Sequence, residues 1–275
     1  MKAALFACAL VLPLAASAQA IRATLPPITY HVGRVAAPLF HNADTTRRPS
    51  YMLNSLSEAV VVGRFSPQLV VVRREGFLYL MPVNRLSDYD PDDVNPPPID
   101  AQTQLITYQG VVEVPGVSKA DLYSRAAAWA AKVYGVVGTA VQQDPQTGEL
   151  VANGLRPAVT RAIYDGVLRT SYAGVVRHTL TIYVKDGRYK YILTNLTHDA
   201  AGTLNLNSGG PLEQDRANLY GYVGIGSRKP WDELKIDATR DVRHLMADLQ
   251  SAMTLQPVAK PKAAMPKEPK AASDF

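Results

Sequence analysis

VVRHTLTIYVKDGRYKYILTNL, residues Val175–Leu196, decides how this chain folds. Asp186-Gly187 suits the two central positions of a type I′ turn, where both φ angles are positive and Asp and Gly are favoured. Counting outward from that turn pairs Lys185 with Arg188, Val184 with Tyr189, Ile182 with Tyr191 and Leu180 with Leu193. The apolar members of these pairs share one face. Arg177, Thr179, Thr181, Tyr183, Lys185, Arg188 and Lys190 share the other. A slip of one residue would turn the apolar set to water, so turn chemistry and pattern specify the same register. The polar face is expected to be wet or covered by a partner, and the same count sets His178 in the apolar register, opposite Asn195.

Upstream of this hairpin, Ile106, Tyr108, Val112 and Val114 alternate with more polar neighbours up to Pro115-Gly116, which reads as a strand. Ser118 with Asp121 three residues on is a helix start, since the serine oxygen can accept a free N–H of the first turn. Leu122, Ala126, Trp129, Ala130 and Val133 then recur at helical spacing. Two strands follow around the turn at Asp144–Gly148, and Arg156–Ala173 reads as a less regular stretch. Downstream, a glycine-rich connection over Ala201–Lys229 precedes a helix marked by Val242, Leu245, Met246, Leu249 and Met253. The order is β-α-β-β-β-β-α.

Towards the N-terminus the pattern weakens. AVVVGRF, QLVVVRR and FLYLMPV, between Ala59 and Val83, are short β-rich runs separated by Pro and Gly turns and predict a three-stranded meander. Residues 87–98, acidic and then proline-rich, read as a linker, and residues 21–50 as an extended arm with no sustained period. The tail, residues 256–275, is Pro, Ala and Lys in low complexity and is expected to be disordered.

Met1-Lys2, the apolar run Ala3–Leu14 and the small residues Ala15–Ala20 have the order of a secretory signal peptide, with cleavage after Ala18 or Ala20. The apolar run is 12 residues long, whereas a membrane-spanning helix needs about 20, so no transmembrane anchor is expected after cleavage. Cys8 lies inside that run, leaving a cysteine-free mature chain without disulfide, thiolate nucleophile or thiolate metal ligand. The formal charge of +5 includes one charge from Lys2 and a net two from the tail, which leaves +2 on the body. A nearly neutral body in an exported chain argues against a nucleic-acid partner.

Four separated segments occur together: Glu113–Tyr134 (EVPGVSKADLYSRAAAWAAKVY), Thr179–Ala200 (TLTIYVKDGRYKYILTNLTHDA), Pro211–Gln214 (PLEQ) and the final helix ATRDVRHLMADLQSAM. In that order they resemble an exported bacterial family met mostly in Bacteroidetes envelopes, the domain of unknown function with a TBP-like fold, over about residues 99–255. The resemblance implies an α+β fold in which helices back a curved antiparallel sheet. It implies a periplasmic or secreted protein of a Gram-negative envelope and no activity, because a shape is not a function. The expected organisation is therefore a signal peptide at 1–20, an arm at 21–50, a small β unit with linker at 51–98, the TBP-like domain at 99–255 and the tail.

No residue is assigned a catalytic, cofactor or metal role. The histidines form no HxxxH or HExxH pair and no GxSxG elbow occurs. Asp88, Asp90, Asp92 and Asp93 open like a calcium loop, yet Asp93 stands where glycine is needed and Ile99 where a bidentate glutamate is needed. Gly221, Gly224 and Gly226 suggest a phosphate loop whose lysine position is Ser227. Arg177, His178, Thr181, Tyr183, Lys190 and Asn195 are the candidate contacts for a ligand or partner, His178 being read first as a hydrogen-bonded core histidine. The expected function is a non-enzymatic binding or interaction module of the envelope, its partner an envelope protein, a glycan or an apolar small molecule. The alternatives are a carboxylate-based hydrolase of envelope polymers and a structural or assembly factor.

Overall fold

The computed structural model describes residues 21–135, 140–165, 167–220 and 228–254. The expected signal peptide at 1–20, the three glycines of GYVGIGSRK (Gly221, Gly224 and Gly226) and the expected tail at 256–275 lie outside them. The chain divides into two compact units, one of Met1–Pro96 with Ala162–Arg169 and one of Pro97–Arg161 with Thr170–Phe275.

The first unit contains β1 (Arg22–His31), β2 (Ala37–Leu39), β3 (Tyr51–Leu53), β4 (Glu58–Arg64), β5 (Leu69–Arg74) and β6 (Phe77–Pro82). Its main sheet is antiparallel in the order β1-β4-β5-β6, with β2 and β3 as a separate two-stranded ribbon. The three-stranded meander is thus four-stranded, and the expected arm supplies the fourth strand. Ile28, Tyr30 and His31 of β1 are buried, as is Val32 just beyond it. The register against β4 shifts between Ala23 and Ile28, around Pro26-Pro27. Proline cannot donate to a sheet ladder, and a bulge accommodates it; that interruption hides the period.

The acidic stretch is also not a free linker. Asp88 accepts from the backbone N–H of His31 at 2.8 Å through one oxygen and lies 2.8 Å from His31 Nδ1 through the other. The Tyr30 hydroxyl donates to Asp93 at 2.7 Å, and Asp90 caps a short 3-10 turn over Pro91–Val94 by accepting from Asp92 N–H. These carboxylates satisfy β1 and their own turn.

The second unit contains β7 (Tyr108–Glu113), α1 (Lys119–Val133), β8 (Ala140–Asp144), most of β9 (Glu149–Tyr164) and of β10 (Val167–Lys185), β11 (Arg188–Asp199), β12 (Gly210–Pro211) and α2 (Arg228–Thr254), the adjoining ends of β9 and β10 being counted in the first. Strands run β12-β11-β10-β9-β8, and β7 also pairs with β11. The expected α+β order is present, with β12 added. Ser118 caps α1 by accepting from Asp121 N–H. In the β10–β11 hairpin Lys185 faces Arg188, Val184 faces Tyr189, Ile182 faces Tyr191 and Leu180 faces Leu193, the expected register, but of the two turn residues only Gly187 has a positive φ, +70°, so the turn is not the expected type I′. Leu180, Ile182, Val184, Tyr189 and Leu193 join one core with Leu122, Trp129, Trp231, Val242 and Leu249 of the two helices.

Two expectations change here. Arg156–Ala173 is not irregular, because β9 and β10 run through most of it. His178 does not stand opposite Asn195 alone. The register shifts between Arg177 and Thr179, so that Thr179 faces Thr194 and Arg177 faces Thr197, leaving Asn195 and Leu196 against one residue. Asn195 takes the extra position with φ +58°, a left-handed conformation that asparagine tolerates better than most residues.

Candidate functional site

Because the core and both helices occupy one face of the second unit's sheet, the alternate residues of its strands form an open face. Tyr183 faces Lys190, which faces Val111; Thr181 faces Ile192, which faces Gln109; and Lys185 faces Arg188, which faces Glu113. On the other side of β10, the Thr179 hydroxyl reaches Asn153 at 3.0 Å. Val111 is 59% exposed and Tyr183 41%. The face therefore combines an aromatic ring, aliphatic side chains, hydroxyls and amides with charges of both signs. Part-burial and the neighbouring Glu149 carboxylate push the Tyr183 phenol above its ordinary range, so its hydroxyl stays a neutral donor.

The candidate contacts separate into two places. Arg177, Thr181, Tyr183 and Lys190 lie on the open face, where Arg177 is held by Asp199 at 2.7 Å. Asn195 is exposed at the bulge. His178 lies on the opposite, core side, only 3% exposed, and its Nε2 is 3.0 Å from the Tyr134 hydroxyl.

Around His178 is a polar patch that sequence reasoning missed. Arg156, Asp237 and Asp241 line the same small hollow as His178, together with Val176, Leu196 and Val242. Arg161 donates to Asp237, which Arg240 also approaches at 3.3 Å. Burial and the Arg156 charge hold the His178 imidazole down to about pKa 4. Burial alone pushes the Tyr134 phenol up, against the pull of Arg156. Burial likewise raises the Asp237 carboxyl, partly offset by Arg161 and Arg240. Gly154 leaves room for this pairing, since a methyl there would run into the Tyr134 ring and His178 Nε2. The hollow measures about 10 Å³, the space of one water molecule. It is too small for a lipid, so the expected apolar small-molecule partner finds no cavity there. Among the described residues no group of three or more His, Cys, Asp or Glu side chains is placed to hold a metal ion.

Residues 108–199 match the family model described as "Domain of unknown function (DUF4468) with TBP-like fold". The fold of the second unit is accordingly TBP-like, a mixed α+β arrangement of antiparallel strands and two helices. Two solved structures are similar to the chain. One is a TBP-like protein from Parabacteroides distasonis ATCC 8503, 17% identical, covering 56% of this chain and 96% of that one with a TM-score of 0.41. The other is a DUF4468 family protein from Bacteroides ovatus ATCC 8483, 15% identical, covering 57% of this chain and 90% of that one with a TM-score of 0.41. No curated protein matches the chain.

The TBP-like domain's matched segment holds β7, α1 and β8–β11 entire, and so both the open face and His178, Tyr134, Arg156 and Arg161. Asp237 and Asp241 come from α2, outside the match. Arg156 and Arg161 were invisible as site residues because they interrupt the apolar alternation of β9. The readable signal was that interruption itself: charged residues inside a long β-rich segment need a buried counter-charge. For Arg161 only the fold supplies it, as Asp237.

Proposed function

We propose that this is an exported envelope protein whose TBP-like unit is a non-enzymatic interaction module, binding an envelope protein through the open face of its sheet. One observation carries the reading. With both helices and the core on the other side, the strands still present Val111, Tyr183 and Lys190 in one cross-strand row to solvent. Aromatic and aliphatic side chains interspersed with hydrogen-bonding groups are what the centre of a protein interface uses. Support for export comes from the order of residues 1–20 and from the envelope setting that the family resemblance implies.

The hydrolase reading is less favoured because the buried carboxylate Asp237 is engaged by Arg161 and Arg240 beside a hollow of one-water size. The test places a photo-crosslinking amino acid at Val111 or Tyr183, and as a control at His244, which is exposed on α2. Irradiated envelope preparations should yield one discrete adduct from the sheet positions and none from His244. Loss of at least about tenfold in that adduct is expected when Lys190→Glu is added, since charges across an interface fix register and suppress mismatched contacts. Equal labelling from all three positions, or none from the sheet, would sink the proposal.

A further inference from the structure

In the first unit, the two-residue turn Glu75-Gly76 joins β5 to β6 with φ values of +51° and +84°. Phe77 and Leu78 follow it at once, 63% and 56% exposed. Successive strand residues point to opposite faces, so this hairpin end is apolar on both sides. Phe77 pairs with Arg74 and Leu78 with Arg73, which puts a guanidinium beside each apolar side chain. The Arg74 guanidinium carbon lies 3.5 Å from the centre of the Tyr51 ring. That contact brings in two more exposed side chains of β3, Tyr51 at 42% and Met52 at 45%.

The charges around this patch are unequal. Arg47 pairs with Asp44 and Arg74 with Glu75, while among the described residues Arg73 has no carboxylate partner. The Arg73 guanidinium is therefore left uncompensated on the strand position opposite the exposed Leu78.

We propose that the β5–β6 turn is a peripheral docking point for an anionic lipid surface. Phe77 and Leu78 enter the interface between headgroups and acyl chains, Tyr51 and Met52 rest at headgroup level, and Arg73 meets a lipid phosphate. Geometry favours lipid over protein. A protein surface covers one face of a hairpin, whereas a bilayer interface surrounds its end and so accommodates apolar groups on both. Aromatic and aliphatic groups with arginines behind them are the composition of such interfacial elements. The proposal is independent of the open sheet face of the second unit.

The experiment is co-sedimentation with vesicles of phosphatidylcholine alone or mixed with phosphatidylglycerol, using the chain without residues 1–20, whose apolar run would bind lipid by itself. Binding should require the anionic lipid and weaken with salt. Phe77→Ser with Leu78→Ser should lower the bound fraction at least about tenfold, each side chain contributing buried apolar area. Arg73→Gln should weaken binding about fivefold, the worth of one cation near an anionic surface. Because Trp129 and Trp231 are buried, Phe77→Trp adds an exposed reporter whose emission should shift to the blue with anionic vesicles. That readout decides the matter if the serine variant melts early. No sedimentation with anionic vesicles, an unmoved Phe77→Trp emission, or a serine variant that folds and binds like the parent would overturn the proposal. So would capture of a protein by this turn without affinity for vesicles.

Discussion

His178 is buried on the core side of the β10–β11 hairpin, its Nε2 3.0 Å from the Tyr134 hydroxyl. Its place in the apolar register follows from counting back from Asp186-Gly187, but its surroundings do not, because the count holds to Thr179 and the bulge at Asn195 breaks it at His178 itself, and only the fold brings Tyr134 and Arg156 beside it. The ring has a measurable consequence. Above pH 6.5 it is neutral in both folded and unfolded chains; as pH falls, the unfolded chain takes up a proton near 6.5 and the folded one only near 4. The unfolded state thus binds more protons in that window, so stability falls as pH drops through it and levels off below. The loss is about 3 kcal/mol at 1.4 kcal/mol per pH unit. Asp237, raised by burial, has the opposite sign, gaining stability as pH falls through its raised range, so the parent alone does not isolate the histidine. His178→Gln retains Asp237, Asp241 and Arg156 and should lack this slope. Urea titrations of both proteins at pH 6.5 and pH 4 measure it, and parallel pH profiles would show that His178 is not the group responsible.

At the scale of elements, the β10–β11 hairpin was legible because turn and face agreed, and α1 because its cap and apolar spacing agreed. What could not be read is how the two meet. Asp186 has a second role, accepting from the backbone N–H of Lys119 at 2.7 Å across 67 residues of sequence. The β turn therefore helps to cap the first turn of α1, where free N–H groups and the helix dipole favour a carboxylate. Asp186→Ala should cost about 1–2 kcal/mol in chemical denaturation, losing the acceptor for the Lys119 N–H. Asp186→Asn keeps an acceptor oxygen and should lose well under half as much. Equal losses for the two variants would assign the effect to charge alone. β9 was illegible for the converse reason: Arg156 lines the hollow beside α2 and Arg161 pairs with Asp237 of α2, so the alternation fails where charged side chains stand in place of apolar ones.

Over the whole molecule, the α+β order of the second unit was readable from periodicity, while β1 was lost to Pro26-Pro27 and the acidic stretch concealed its bonds to β1. The family match ends at residue 199, and α2 begins only at Arg228. Yet α2 supplies Trp231, Leu234, Ala238, Val242, Leu245, Met246, Leu249 and Met253 to the core that β10 and β11 line. It also closes on α1: Trp129 Nε1 donates to Asp248 at 2.8 Å, and Arg125 donates to the Met253 carbonyl at 2.7 Å. Full burial of a large apolar side chain contributes about 1.5–3 kcal/mol. Several such residues together exceed the roughly 5–15 kcal/mol by which a domain is stable at all. A segment limited to residues 108–199 should therefore show no cooperative thermal transition and should bind a hydrophobic dye, while residues 97–254 melt cooperatively. If the shorter segment also melts in one step, α2 is an accessory to this fold rather than half of its core, and the Arg161–Asp237 pair becomes a clasp added to a sheet already stable without it.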